Sequence, residues 1–116
     1  MTKPYDSGKD KDDAGKNRLG MVLGGFAGAL EAVGLVGTYG ATKYSDGGWK
    51  SVENGVERYN DAMMRHWIKK MCGGKVDKES GLAESANIAW NALAVLQLEL
   101  DKVEALPDNL DEDCGL

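Results

Sequence analysis

The sequence predicts an all-α protein, a small bundle of three main helices. Apolar residues recur at helical spacing in three long segments, and no run of strand length alternates apolar and polar residues. A chain of 116 residues also suffices for one domain with its own hydrophobic core. We expect residues 1–15 to form a flexible polar arm, residues 16–105 the helical domain and residues 106–116 an acidic tail.

The first predicted helix runs from Leu23 to about Lys43 and is rich in glycine. Each glycine inside a helix costs ~1 kcal/mol relative to alanine. A helix that accepts this cost repeatedly needs another backbone to approach it closely, from a neighbouring helix or a second subunit. A frayed or broken helix is the alternative. The apolar stripe consists of Leu23, Phe26, Leu30, Val33 and Val36.

The second predicted helix follows the break at Ser45–Gly48 and ends at Gly73–Gly74. The only histidine, His66, lies on its apolar side, which is typical of a core histidine. Its neighbour Arg65 indicates another role, since an Arg–His pair that faces the inside of a bundle could bind phosphate through the guanidinium group. Asp61 and Arg65, four residues apart, could instead form a solvent-exposed salt bridge.

The third predicted helix runs from about residue 80 to Glu104 and has apolar residues on two sides, so we expect it to be buried on both. Glu84, Asn87 and Asn91 share one of these faces. Burying an unpaired amide or carboxylate is costly, so these side chains need partners. They either form hydrogen bonds across a contact between helices or bind a ligand or metal. The two-sided helix and the glycine-rich first helix together predict a homo-oligomer.

The segment TYGATKYSDGGWK, residues 38–50, combines aromatic and basic side chains with a glycine pair. Tyr39 and Lys43 are four residues apart and therefore share a helix face. The segment could be an ordinary helix end followed by a glycine turn. It could equally be a surface that holds a flat, charged molecule.

Composition excludes several function classes. The net charge of −5 gives no positive field to attract a nucleic-acid backbone. The longest apolar stretch, Leu19 to Val36, is interrupted by glycines and Glu31, so we expect no membrane span. Cys72 and Cys114 lie far apart and the first residues are charged, which favours a reduced, cytoplasmic setting.

The motifs of two common site types do not occur in the sequence. No CxxC, HExxH or second histidine supports a zinc site, and there is no P-loop. Carboxylates are the remaining candidate metal ligands. Their oxygens favour Mg²⁺ or Mn²⁺.

Four segments, taken in order, carry a resemblance to a known family. They are KDDAGKNRL, ALEAVGLVGTYGATKYSDGGW, RYNDAMMRHW and GGKVDKESGLAESANIAWNALAVLQLE. Over residues 11–100 the chain resembles the small, phage-associated helical family dATP/dGTP diphosphohydrolase, N-terminal domain. The positions that match the family pattern are Lys16, Arg18, Tyr39, Gly40, Lys43, Tyr44, Trp49, Arg65, His66, Asp77, Ser80, Gly81 and Asn91.

The resemblance implies a helical nucleotide-handling domain related to all-α nucleoside-triphosphate pyrophosphohydrolases. Those enzymes hold Mg²⁺ with helix-borne carboxylates and cleave the α–β phosphoanhydride by attack of water. The first hypothesis is therefore a metal-dependent (d)NTP diphosphohydrolase that acts on purine nucleotides and uses Mg²⁺ or Mn²⁺. Its expected site residues are Asp61, Asp77, Glu79 and Glu84 as metal ligands, His66 and Glu84 in catalysis, Lys43, Arg65 and either Lys16 or Arg18 on the phosphates, Tyr39, Tyr44 or Trp49 on the base, and Ser80, Asn87 and Asn91 elsewhere in the ligand site.

The chain departs from the family after the SGL element, where histidines are common and this chain has Glu84 and Asn87. Loss of two imidazoles could remove proton transfer or metal binding while leaving the pocket. The second hypothesis is therefore a phage nucleotide-binding sponge without a cofactor, which sequesters a signalling nucleotide of host defence in the host cytoplasm. A third is a structural helical oligomer. Whether the protein is an enzyme stays open at this point.

Overall fold

The computed structural model describes residues 15–103 and confirms the predicted all-α fold for that range. The elements in chain order are α1 (Leu19–Gly24), α2 (Ala27–Lys43), a short 3₁₀ helix (Gly48–Ser51), α3 (Gly55–Met71) and α4 (Glu84–Asp101). The three predicted main helices correspond to α2, α3 and α4. The predicted arm and acidic tail lie outside the described residues, apart from Gly15 at the end of the arm.

The first predicted helix is interrupted in the structure. α1 ends at Gly24, and the N–H groups of Gly25 and Phe26 donate to carbonyl oxygens three residues earlier. This tighter turn breaks the α-helical pattern before α2 begins at Ala27. The adjacent glycines have the low helix propensity that permits the break. The expectation of one continuous helix from Leu23 was therefore wrong, and the broken-helix alternative describes the segment.

Two helices begin later than the periodicity predicts. Asn54 has a left-handed backbone with φ of 57°, so α3 begins only at Gly55. Gly81 is also left-handed with φ of 76°, and Ala83 lies in an isolated antiparallel bridge, so α4 begins at Glu84. Apolar periodicity continues through both segments because it reports which residues are apolar and carries no information about the backbone dihedrals.

The central helix of the bundle is α4, which packs most extensively against α3 and also against α2. Its buried apolar residues are Ala86, Ala94 and Val95, and α2 adds Val36. Small side chains such as alanine let helix axes approach closely. Within the described range, no helix is both long and apolar enough to cross a membrane.

Much of the predicted apolar stripe remains exposed. Leu23, Phe26 and Leu30 are 44%, 53% and 43% exposed. The reason is that α1 makes no extensive contact with the other described helices, and only Val36 of α2 is buried. On α4, Leu93 and Leu96 are each 50% exposed, so the expected burial on both sides does not occur within one chain.

Candidate functional site

A cavity of about 290 Å³ lies between α2, α3, α4 and the loop of residues 72–83. This volume is near the lower end of the range for small-molecule sites. The lining combines polar and charged side chains with aromatic ones. The polar part consists of Lys43, His66, Asp77, Glu79, Ser80, Asn87 and Asn91, and the aromatic part of Tyr39, Tyr44, Trp49, Tyr59 and Trp90.

Three side chains form a buried cluster at this cavity. His66 on α3 lies 2.6 Å from Glu84 and 3.8 Å from Asp77, measured from Nδ1 to the nearest carboxylate oxygen. Glu84 is 1% exposed and Asp77 is 5% exposed. His66 and Asp77 line the cavity, and Glu84, the first residue of α4, contacts His66. Burial of two carboxylates needs compensation, which a proton on Nδ1, the positive end of the α4 dipole, or a cation can supply.

The loop before α4 places Asp77 in this cluster. The Asp77 N–H donates to the carbonyl of Leu82 at 2.8 Å, and the Glu84 N–H donates to the carbonyl of Lys75 at 2.9 Å. The chain reverses between them through Gly81, whose left-handed backbone suits glycine. The loop therefore brings Asp77 back beside the first turn of α4.

Ser80 orients the Asp77 carboxylate. Its N–H and its hydroxyl both donate to Oδ2, at 2.8 and 2.9 Å, which leaves Oδ1 facing His66 and Lys69. Burial raises the pKa of the Asp77 carboxyl, but the two Ser80 hydrogen bonds and the charges of His66 and Lys69 outweigh it and hold the pKa below its ordinary value. Asp77 is therefore a charged carboxylate whose orientation is fixed by Ser80.

The cluster could hold a metal ion. The imidazole nitrogen and one oxygen of each carboxylate all lie within 4.8 Å of one another. Two ligand atoms that each lie about 2.0–2.2 Å from one ion are at most about 4.4 Å apart, so small side-chain shifts would bring the three atoms within reach of an ion. The ion would replace the proton between His66 and Glu84.

A second group of charged residues lies at the rim of the cavity. Lys43 Nζ donates to Glu79 Oε2 at 2.9 Å, and the Tyr39 hydroxyl donates to the same oxygen at 3.4 Å. The ammonium group also lies 5.7 Å from the ring centre of Tyr39 and 5.9 Å from that of Tyr44. The hydrogen bond between Lys43 and Glu79 raises the pKa of Lys43 and lowers the pKa of Glu79. Glu79 is therefore paired with Lys43 and is not in the His66 cluster.

The aromatic wall consists of Trp49, Tyr59 and Trp90. Their ring centres are 5.5 to 6.3 Å apart and their planes cross at 68 to 84°, the favoured edge-to-face arrangement. The Tyr59 hydroxyl donates to the carbonyl of Trp49 at 2.7 Å. Gly37 on α2 makes room for Trp90, since a Cβ there would lie 3.0 Å from Nε1. Sequence reasoning gave no site role to Tyr59 or Trp90; the signal available was the position of Trp90 next to Asn91.

The remaining predicted site residues divide into two groups. Tyr39, Lys43, Tyr44, Trp49, Ser80, Asn87 and Asn91 line the cavity with the cluster. Asp61 and Arg65 are exposed, do not line the cavity, and lie on an adjoining groove that shares Tyr44 and Tyr59 with it. Asp61 precedes His66 by five residues, which places it about 140° around the helix. Lys16 and Arg18 precede α1, are exposed and do not line the cavity.

Fold and site together define a class: a small all-α domain with a histidine–carboxylate cluster beside a cavity lined by aromatic side chains. The chain belongs to the family dATP/dGTP diphosphohydrolase, N-terminal, whose model matches residues 6–107. The family name indicates a nucleotide hydrolase. Searches of curated proteins and of solved structures found no significant match.

Proposed function

We propose that the protein is a metal-dependent (d)NTP diphosphohydrolase that acts on purine nucleotides by attack of water on a phosphoanhydride. The observation that carries this proposal is the buried His66–Asp77–Glu84 cluster beside a cavity with an aromatic wall. Family membership supports the substrate class. An imidazole nitrogen with two carboxylates favours Mn²⁺ over Mg²⁺, because Mg²⁺ prefers an all-oxygen shell.

The residues of the cavity have distinct roles in this proposal. His66, Asp77 and Glu84 would be the ligands of the ion, which lowers the pKa of water and neutralises phosphate charge when bound. Lys43 would release Glu79 and bind a phosphate oxygen instead. The carboxylate and the phosphate are both anionic, and the ion pair between Lys43 and Glu79 is weak because it is exposed to solvent. The aromatic wall packs against the base and excludes water from that part of the cavity.

The experiment is incubation of the purified protein with each (d)NTP in Mn²⁺, in Mg²⁺ and in EDTA, followed by mass spectrometry of the nucleotides. We expect dATP and dGTP to be converted to monophosphate and pyrophosphate, with no conversion in EDTA. Recovery of bound nucleotide chemically unchanged would contradict the enzyme and indicate a sponge. A protein that neither binds nor cleaves any nucleotide would leave only the structural oligomer.

We also propose that the protein self-associates through one surface, Leu19–Leu35. Leu19, Met21, Val22, Leu23, Phe26, Leu30 and Leu35 are between 43% and 58% exposed there. Glu31 is the only charged residue of this stretch. A Cβ added at Gly20, Gly24, Gly28 or Gly34 would meet nothing within 4 Å, so no packing inside the described chain requires these glycines. A second copy fits best, because the surface carries both protruding side chains and gaps and can pair with itself.

Replacing both Phe26 and Leu30 by lysine is therefore expected to convert a dimer or larger assembly into monomers. Two buried charges on each copy would oppose association. Light scattering of the purified protein at micromolar concentration measures the mass. The matched control is Met64→Lys, which changes an exposed apolar residue of α3 outside this surface. A wild-type protein that is monomeric, or a variant whose assembly has the same mass as that of the wild type, would contradict self-association.

A further inference from the structure

Asn87 and Asn91 on α4 are buried amides that leave most of their hydrogen-bonding capacity unused, including the whole of the side-chain oxygen. They are 7% and 5% exposed, and both line the cavity. Nδ2 of each donates to the carbonyl four residues earlier, at 3.0 Å to Ala83 and at 2.8 Å to Asn87. An amide oxygen would be repelled by those carbonyls, so the two bonds set the orientation of both side chains and direct each Oδ1 away from the helix backbone.

Neither Oδ1 receives a hydrogen bond from any residue in the range 15–103. The same range contains no fully buried side-chain oxygen or nitrogen without a partner, so both oxygens are accessible from the cavity. A helix that places two carbonyl acceptors in a cavity in this way presents them to a ligand with hydrogen-bond donors. A phosphate does not satisfy them, because it offers acceptors.

The spacing along α4 assigns the two oxygens to different parts of a ligand. With a rise of about 1.5 Å per residue, Asn87 lies roughly 4.5 Å and Asn91 roughly 10.5 Å along the axis from Glu84 of the cluster. Trp90 of the aromatic wall adjoins Asn91 in the chain. A nucleotide with its phosphates at the cluster and its base at the wall has its sugar near Asn87 and a base edge near Asn91.

Building on the proposed function, we propose that Asn91 Oδ1 accepts a hydrogen bond from an amino or ring N–H group of the base. Asn87 Oδ1 accepts one from the 3′-hydroxyl of the sugar. The pair selects nucleotides that carry both donors. The selection is made by binding and does not require cleavage.

The test measures the Kd of three non-cleavable ligands by calorimetry. They are dATP with a methylene group in place of the α–β bridging oxygen, the same compound without the 6-amino group, and the same compound without the 3′-hydroxyl. For the wild type we expect each deletion to weaken binding about tenfold, the usual cost of an unsatisfied buried acceptor. Asn91→Leu should abolish discrimination of the amino group only, and Asn87→Leu discrimination of the 3′-hydroxyl only.

The control variant is Gln97→Leu, because Gln97 is exposed on the same helix and bonds to Asp101. It should leave both preferences unchanged. Equal Kd values of the wild type for all three ligands would overturn the inference while leaving nucleotide binding intact. No binding of any of them would overturn both this inference and the proposed function. The comparison of the three ligands on the wild type uses no variant. It therefore tests the inference even if a leucine variant fails to fold.

Discussion

Replacing Asp77 by asparagine is expected to reduce metal-dependent nucleotide cleavage by at least about 100-fold while preserving the fold. Loss of a group that only hydrogen-bonds to a metal ligand typically lowers metal affinity or activity by about 10–100-fold. Loss of a ligand itself should therefore lower activity by about 100-fold or more. The measurement is pyrophosphate release in Mn²⁺, accompanied by direct titration of Mn²⁺ binding.

The structure gives a specific reason for this loss. Ser80 donates two hydrogen bonds to Oδ2 of Asp77, and in the variant the amide oxygen must take that position to accept them. The amide nitrogen then occupies the place of Oδ1, facing His66 and Lys69. A neutral donor replaces a charged acceptor there, while the loop keeps its hydrogen bonds.

The matched control is Asp61→Asn. It removes a carboxylate that was also predicted as a metal ligand but is exposed on α3 and belongs neither to the cavity lining nor to the His66 cluster. We expect its cleavage rate and Mn²⁺ affinity to equal those of the wild type. Cleavage by Asp77→Asn at the wild-type rate would show that the cluster does not hold the ion.

Replacing Trp90 by alanine is expected to destabilise the protein by about 3 kcal/mol, the lower end of the range for tryptophan truncation, because the side chain is only partly buried. Trp90 contacts Trp49 and Tyr59 edge to face, and each such pair adds about 0.5–1.5 kcal/mol beyond area burial. Urea denaturation followed by circular dichroism measures the free energy of unfolding.

Trp67→Ala provides the matched control, since Trp67 is 50% exposed on α3. Its loss should be less than about 1 kcal/mol, in the range of surface substitutions. Equal losses for the two variants would contradict a structural role of the aromatic wall.

Side-chain periodicity correctly predicted the burial of three polar residues. Glu84, Asn87 and Asn91 are spaced to share a helix face that also carries apolar residues, and all three are buried in the structure. The structure also shows how their burial is compensated: Glu84 pairs with His66, and each amide bonds to its own helix. The sequence predicted either hydrogen bonds between helices or a ligand role for these side chains. Hydrogen bonds from the two amides to the backbone of their own helix were not predicted.

Which side chains form the candidate metal cluster could not be predicted from periodicity. Four carboxylates had equal standing in the sequence as ligands, and His66 was assigned to catalysis. In the structure Asp77 and Glu84 meet His66, Glu79 pairs with Lys43, and Asp61 lies on another face of α3. Asp77 enters the cluster through a loop whose reversal depends on a left-handed Gly81. Apolar patterning does not reveal such a reversal.

The sequence by itself determined the helical class, the three main helices and the burial of the polar face of α4, because these depend on spacings within single helices. Only the tertiary structure decided which side chains from different elements meet: His66 with Glu84 and Asp77, and Trp90 with Trp49 and Tyr59. Those contacts depend on how the helices pack and where the loops reverse. They therefore depend on residues that are far apart in the chain. For the same reason, only the structure shows that the apolar residues of α1 and α2 are left exposed by the packing of the bundle.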